Sequence, residues 1–203
     1  MRTITALFDT YDHAASAVRA VRDAGIQSAD ISLIANNVTG DIPADDLDAE
    51  EGAAAGAGVG AVAGGGAGLL AGLGAVAIPG IGPVIAGGWL LATAVGALAG
   101  AAVGGAAGGL LGALANAGVP EQEAHVYAEG VRRGGTLVSV RADDNRAESI
   151  AAILRHAEGV DIDARKADYL AEGWGGFDED SPAYSEEQIR EYRTAYGNVP
   201  PIV

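Results

Sequence analysis

"AVAIPGIGPVIAGG", residues 75–88, places two prolines and two glycines within five positions, Pro79, Gly80, Gly82 and Pro83. Proline removes the amide donor a helix needs, and glycine favours backbone that no helix uses, so the chain must turn here. Around this turn lies a block, 52–120, without a single charged side chain. Gly52, Gly56, Gly60, Gly64, Gly68 and Gly72 recur every fourth residue before the turn, and Gly96, Gly100, Gly104, Gly108 and Gly112 do so after it. On a helix, such a row forms a shallow groove in which a second helix can approach closely. The reading is a helical hairpin with arms over 52–77 and 84–117, its glycine rows serving as helix-packing surfaces. The first arm holds 10 glycines. At about 1 kcal/mol each relative to alanine, they impose on the order of 10 kcal/mol of intrinsic penalty, so the arm needs close packing, a bilayer, or both. Its length, ~39 Å, would span a hydrocarbon core of about 30 Å.

The flanks have the opposite character. Residues 1–51 carry 10 acidic and 3 basic side chains, and residues 121–203 carry 17 and 9, for a net charge of −15 over 203 residues. Such acidity repels nucleic acid and anionic headgroups. The chain has no cysteine, which excludes disulfides and thiolate chemistry. Its opening, MRTITALFDTYDH, lacks an apolar run of signal-peptide length, so a location on the cytoplasmic side is expected.

Within the flanks a β-α-β grammar occurs twice. Residues 3–8 (TITALF) read as a strand, Asp9 or Thr10 as a cap, Ala14, Val18 and Val21 as one helix face, Gly25 as the stop and 31–35 (ISLIA) as a second strand. Residues 136–140 (TLVSV) restart the pattern. A helix over 146–158 and a fourth strand over 160–167 (VDIDARKA) follow. The expected fold class is α+β: a ferredoxin-like pair of βαβ units with helices on one face, interrupted by the glycine/alanine-rich hairpin. The segments are 1–44 for the first half, 45–119 for the hairpin, 120–168 for a connecting helix and the second half, and 169–203 for an acidic, aromatic C-terminal arm. Ser185 and Gln188 mark a capping box opening a short helix in that arm, which should lie on its own domain or on a neighbour.

No residue asks for a catalytic role. The glycine block lacks the lysine of a phosphate loop, and Gly58, Gly60 and Ala63 fit a looser dinucleotide pattern without the preceding strand. Glu121, His125 and Glu129 share a helix face at metal-ligand spacing but read as a solvated face. Asp9, Asp12, Asp143 and Asp144 are explained as helix caps. The expectation is no enzyme activity, no cofactor and no metal.

The segments "LFDTYDHAASAVRAVRDAGI", "AIPGIGPVIAGG", "GVPEQEAHVYAEGVRRGGTLVSV" and the closing "GWGGFDED" with "PAYSEEQIR" resemble bacterial general stress proteins, often labelled heat- or low-temperature-induced, that carry a glycine-zipper hairpin. The resemblance implies stress-related expression and membrane association, and no reaction. The expected function is that of a non-enzymatic, self-associating protein whose hairpin packs in or against a lipid bilayer. Its partner is itself. The alternatives are a soluble homo-oligomeric assembly, a shell, ring or filament with the hairpins in its core, and a small-ligand sensor.

Overall fold

The structure, a computed structural model, describes residues 1–42, 74–94 and 109–197. Its centre is a five-stranded antiparallel sheet of order β1-β5-β2-β4-β3, with β1 at Arg2–Phe8, β2 at Ile31–Asn36, β3 at Gly74–Ile78, β4 at Gly82–Gly87 and β5 at Thr136–Ala142. The helices are α1 (Tyr11–Asp23), α2 (Gly109–Asn116), α3 (Glu121–Arg132), α4 (Ala147–His156), α5 (Ile162–Ala171) and α6 (Glu186–Tyr196), and residues 89–94 are also helical. The fold is thus mixed α and β.

β1 and β2, joined by α1, do not pair with each other. β5 lies between them, and its Val140 stands opposite both Ile4 and Ile31. Every residue of β2 is buried, which requires cover on both faces. On one face Phe8, Leu33, Val138 and Val140 meet Ala14, Ala17 and Val21 of α1 and Ile150 and Leu154 of α4. On the other, Leu7, Ile34, Val84 and Leu137 meet Ala124, Tyr127 and Val131 of α3 and Leu110 and Leu114 of α2. The expectation of helices on one face is therefore corrected: three layers form, because the apolar alternation of β2 and β5 leaves no face for water.

Two further corrections concern local structure. The segment expected to be a fourth strand, 160–167, becomes α5. Its alternating pattern fits a strand, but the Asp161 side chain accepts the amides of Asp163 (3.0 Å) and Ala164 (3.1 Å) and starts a helix. One strand-like bond survives, from the Val160 amide to the Leu7 carbonyl at 2.8 Å. The turn at Pro79, Gly80, Gly82 and Pro83 joins two strands here, not two helical arms: β3 and β4 pair from Gly74 opposite Ala86 to Ile78 opposite Gly82. β-branched Val76, Ile78, Val84 and Ile85 suit strands, and β4 pairs with the edge of β2, from Leu33 opposite Gly87 to Asn36 opposite Val84. Residues 74–94 and 109–119, read as part of the insertion, thus belong to this sheet and core.

Where β4 ends, Gly88 has φ +93°, and a Cβ there would overlap the Ile31 carbonyl oxygen. Glycine is required for the chain to leave the strand and begin the helix at Trp89. Ser32 of β2 stitches this corner, its hydroxyl donating to the Gly87 carbonyl (2.8 Å) and accepting the Leu90 amide (3.3 Å).

Candidate functional site

A buried polar cluster lies where β1 ends and α3, α5 and α6 converge. Thr10 caps α1 by accepting the His13 amide, which leaves Asp9 free to serve elsewhere. It faces α5, where Arg165 grips it in a two-pronged ion pair, Nη1 to Oδ1 at 2.7 Å and Nη2 to Oδ2 at 2.8 Å. The Arg165 side chain is only 7% exposed. Burial opposes its charge, but the hydrogen bonds to Asp9 outweigh that cost and hold its pKa above the ordinary value.

Arg165 also donates to the Tyr192 hydroxyl at 2.8 Å, which shares a 2.8 Å hydrogen bond with the Tyr169 hydroxyl. Burial pushes both phenols upward, so they stay neutral. A second guanidinium, Arg133, bonds Glu129 (2.8 Å) and Glu172 and lies 4.2 Å from the centre of the Tyr169 ring. Burial disfavours its charge as well, and the two carboxylates more than restore it. Arg165 packs over Tyr196 at 4.3 Å, and Tyr196 stacks on Tyr192 at 4.5 Å. Alternating cations and aromatic faces thus fix α6 to α3 and α5.

The rest of the C-terminal arm follows the same surface. Its capping box forms as the sequence requires, with Ser185 and Gln188 exchanging hydrogen bonds. Ile189, fully buried, presses on Gly134, where a Cβ would lie 2.6 Å from its methyl. Arg193 donates to the carbonyls of Gly134 (3.1 Å) and Asn36 (3.2 Å) and to the Thr39 hydroxyl (3.0 Å), and it stands 3.7 Å from Asp41. The His125 Nδ1 accepts the Phe177 amide (3.1 Å), and Arg132 donates to the Pro182 carbonyl (2.9 Å). Between these points the arm crosses the β3–β4 turn: a Cβ on Gly80 would lie 2.9 Å from the Asp178 carbonyl, and one on Gly82 would lie 3.1 Å from Ala183. The arm therefore touches the chain on both sides of residues 43–73, at Thr39 and Asp41 before them and at Gly80 and Gly82 after them. It lies on its own domain.

Of the glycines read as helix-packing positions, Gly112 is buried within α2. Gly52, Gly56, Gly60, Gly64, Gly68, Gly72, Gly96, Gly100, Gly104 and Gly108 fall outside the described residues. The face of Glu121, His125 and Glu129 is not the solvated row expected: Glu129 is fully buried against Arg132 and Arg133, and His125 receives the arm. Among the described residues no group of three or more His, Cys, Asp or Glu is placed to hold a metal ion. Asp9, read as a cap, is an ion-pair partner. The signal that could have revealed this cluster is the spacing of Arg165 and Tyr169, and of Tyr192 and Tyr196, four apart in each pair, which gives two helices matching cationic and aromatic faces.

Both Asp9 oxygens are engaged by Arg165, and burial keeps the phenols of Tyr169 and Tyr192 protonated. Its chemistry is that of a joint. Comparison with protein-family models, with curated proteins and with solved structures finds no match.

Proposed function

We propose that the protein is a non-enzymatic, self-associating protein whose glycine rows pack helix against helix, in or against a lipid bilayer, and whose expression accompanies stress. The observation that carries this reading is the charge-free block with two unbroken rows of glycine at four-residue spacing. The C-terminal arm supports it by gripping the chain on both sides of residues 43–73, at Arg193 and at the turn of Gly80 and Gly82. The chain on either side of that segment is thereby held on one base, the sheet in which β5 lies between β1 and β2. Among the described residues no helix is long and apolar enough to cross a membrane.

A second reading, a soluble homo-oligomer with the glycine segments in its centre, is favoured by one feature. Val84, Leu90, Leu110 and Leu114, all from the charge-free block, are buried in the chain's own core, so part of the block's apolar surface is spent within the domain. Carbonate extraction separates the two readings, pelleting with membranes supporting the first and a large soluble particle the second. The triple variant Gly60→Leu, Gly64→Leu, Gly68→Leu tests what they share. Close helix approach is lost, and the particle mass should fall; an unchanged mass would overturn both.

A further inference from the structure

The outer edge of β1 is half finished. Backbone groups of successive residues alternate in direction along a strand. The Leu7 carbonyl points outward to the Val160 amide (2.8 Å), and the Thr5 carbonyl, two residues earlier, accepts the Tyr127 hydroxyl (3.0 Å). After Val160 the chain turns into α5, so backbone pairing on this edge stops at Leu7. Residues 2–6 face no partner strand among the described residues. Their outward amides, at Thr3 and Thr5, await acceptors, and a carbonyl that holds one hydroxyl retains a second lone pair. No proline or lysine blunts this stretch, two of the devices by which proteins guard an edge.

We propose that two copies of the chain join through this edge, antiparallel and related by a two-fold axis at Ile4, to form one continuous ten-stranded sheet. The midpoint of the open stretch is Ile4, and Thr3-Ile4-Thr5 reads identically in both directions. A second copy therefore sets Thr3 opposite Thr5 and Ile4 opposite Ile4, cross-strand pairs that favour sheets. The pairing ends where Val160 begins, so the two-fold register uses the whole open stretch. Arg2 is exposed and has no ion partner among the described residues, and this register lays it beside Ala6 of the second copy. Ile4, only half-buried in one chain, gains cover from its own copy. The surface is separate from the glycine block and does not depend on it.

The absence of cysteine makes the test clean. Ile4→Cys introduces a single thiol on the proposed axis. The backbone groups of Ile4 point to β5, so its pair across the axis is of the non-hydrogen-bonded kind. The Cα atoms then lie about 4.5 Å apart, within disulfide reach. On mild oxidation of the full chain, most of it should run as a covalent dimer. Ala6→Cys places its two sulfurs roughly four residues out of register and should link at least about ten-fold less. Equal linking by both variants, or none by Ile4→Cys, overturns the proposal. Thr5→Pro removes an outward amide while leaving the β5 ladder intact. It should halve the mass of the smallest species in sedimentation, and an unchanged mass counts against the pairing. Ile4→Cys in the Gly60, Gly64, Gly68→Leu background should still cross-link. Loss of the link there would show that the edge does not pair by itself, whereas a persisting link beside an unchanged particle mass would refute the glycine reading alone.

Discussion

Asp9→Ala should destabilise the domain far more than an ordinary surface substitution. The Asp9 side chain is 17% exposed and that of Arg165 is 7% exposed. Removing the carboxylate abolishes two charge-assisted hydrogen bonds, of 2.7 and 2.8 Å, and leaves a guanidinium with one phenol and an aromatic face as partners. Each such bond contributes about 1.5–3 kcal/mol, and breaking a buried pair from one side costs about 3–5 kcal/mol. Two bonds give about 3–6 kcal/mol, so the two routes agree on a loss of roughly 3–5 kcal/mol. Arg165→Met removes the buried charge itself and keeps an apolar stem, so the double variant Asp9→Ala, Arg165→Met should be less destabilised than the sum of the singles by about 2–3 kcal/mol. Urea denaturation of the four proteins, followed by circular dichroism and by tyrosine fluorescence, closes the cycle. A loss below about 1 kcal/mol for Asp9→Ala, the value of an exposed pair, or additive singles, would refute the account of this cluster as a buried joint.

Other consequences are equally direct. Tyr127, Tyr169 and Tyr192 all have pKa values raised, first by burial. Raised folded values mean that the stability they contribute is complete below the ordinary tyrosine value of about 10 and is lost as pH climbs above it. The unfolding free energy should fall by ~1.4 kcal/mol per pH unit for each tyrosine that stays protonated, and Tyr192→Phe should flatten that slope in denaturation measured between pH 9 and 11. Gly88→Ala strains a positive φ and drives a Cβ into the Ile31 backbone. A cost of about 3 kcal/mol or more is expected, a fall in melting temperature of roughly 6–12 °C for a chain of this size, readable by calorimetry.

Local signals carried much of the architecture. The capping box at Ser185, the glycine after α1 and the strands around Ile31 and Thr136 follow from short-range chemistry and stand where the sequence puts them. The misreadings arise where distant partners decide. Residues 160–167 alternate like a strand, but the Asp161 cap and the burial of Arg165 and Tyr169 on one helix face prevail. The turn at Pro79–Pro83 is legible, but its arms look helical because alanine and glycine dominate. Only the vacant edge of β2, invisible in sequence, selects strands for Val76 and Val84. The Asp9–Arg165 joint spans 156 positions, beyond the reach of any local pattern.

The grip of the arm on both sides of residues 43–73 also has a consequence in time. Arg193 leaves the ribosome roughly 120 residues after the glycine-rich segment, which at ~5–20 residues per second is a delay of about 6–24 s. During that interval the segment is attached to a base whose clasp does not yet exist, and β2, which precedes it, waits for its central partner β5. Newly made chains thus pass through a window in which the charge-free, glycine-rich part of the sequence is present and the clasp on either side of it is not. Under the proposed self-association, chains meeting during that window, on one polysome, would associate before their arms have docked.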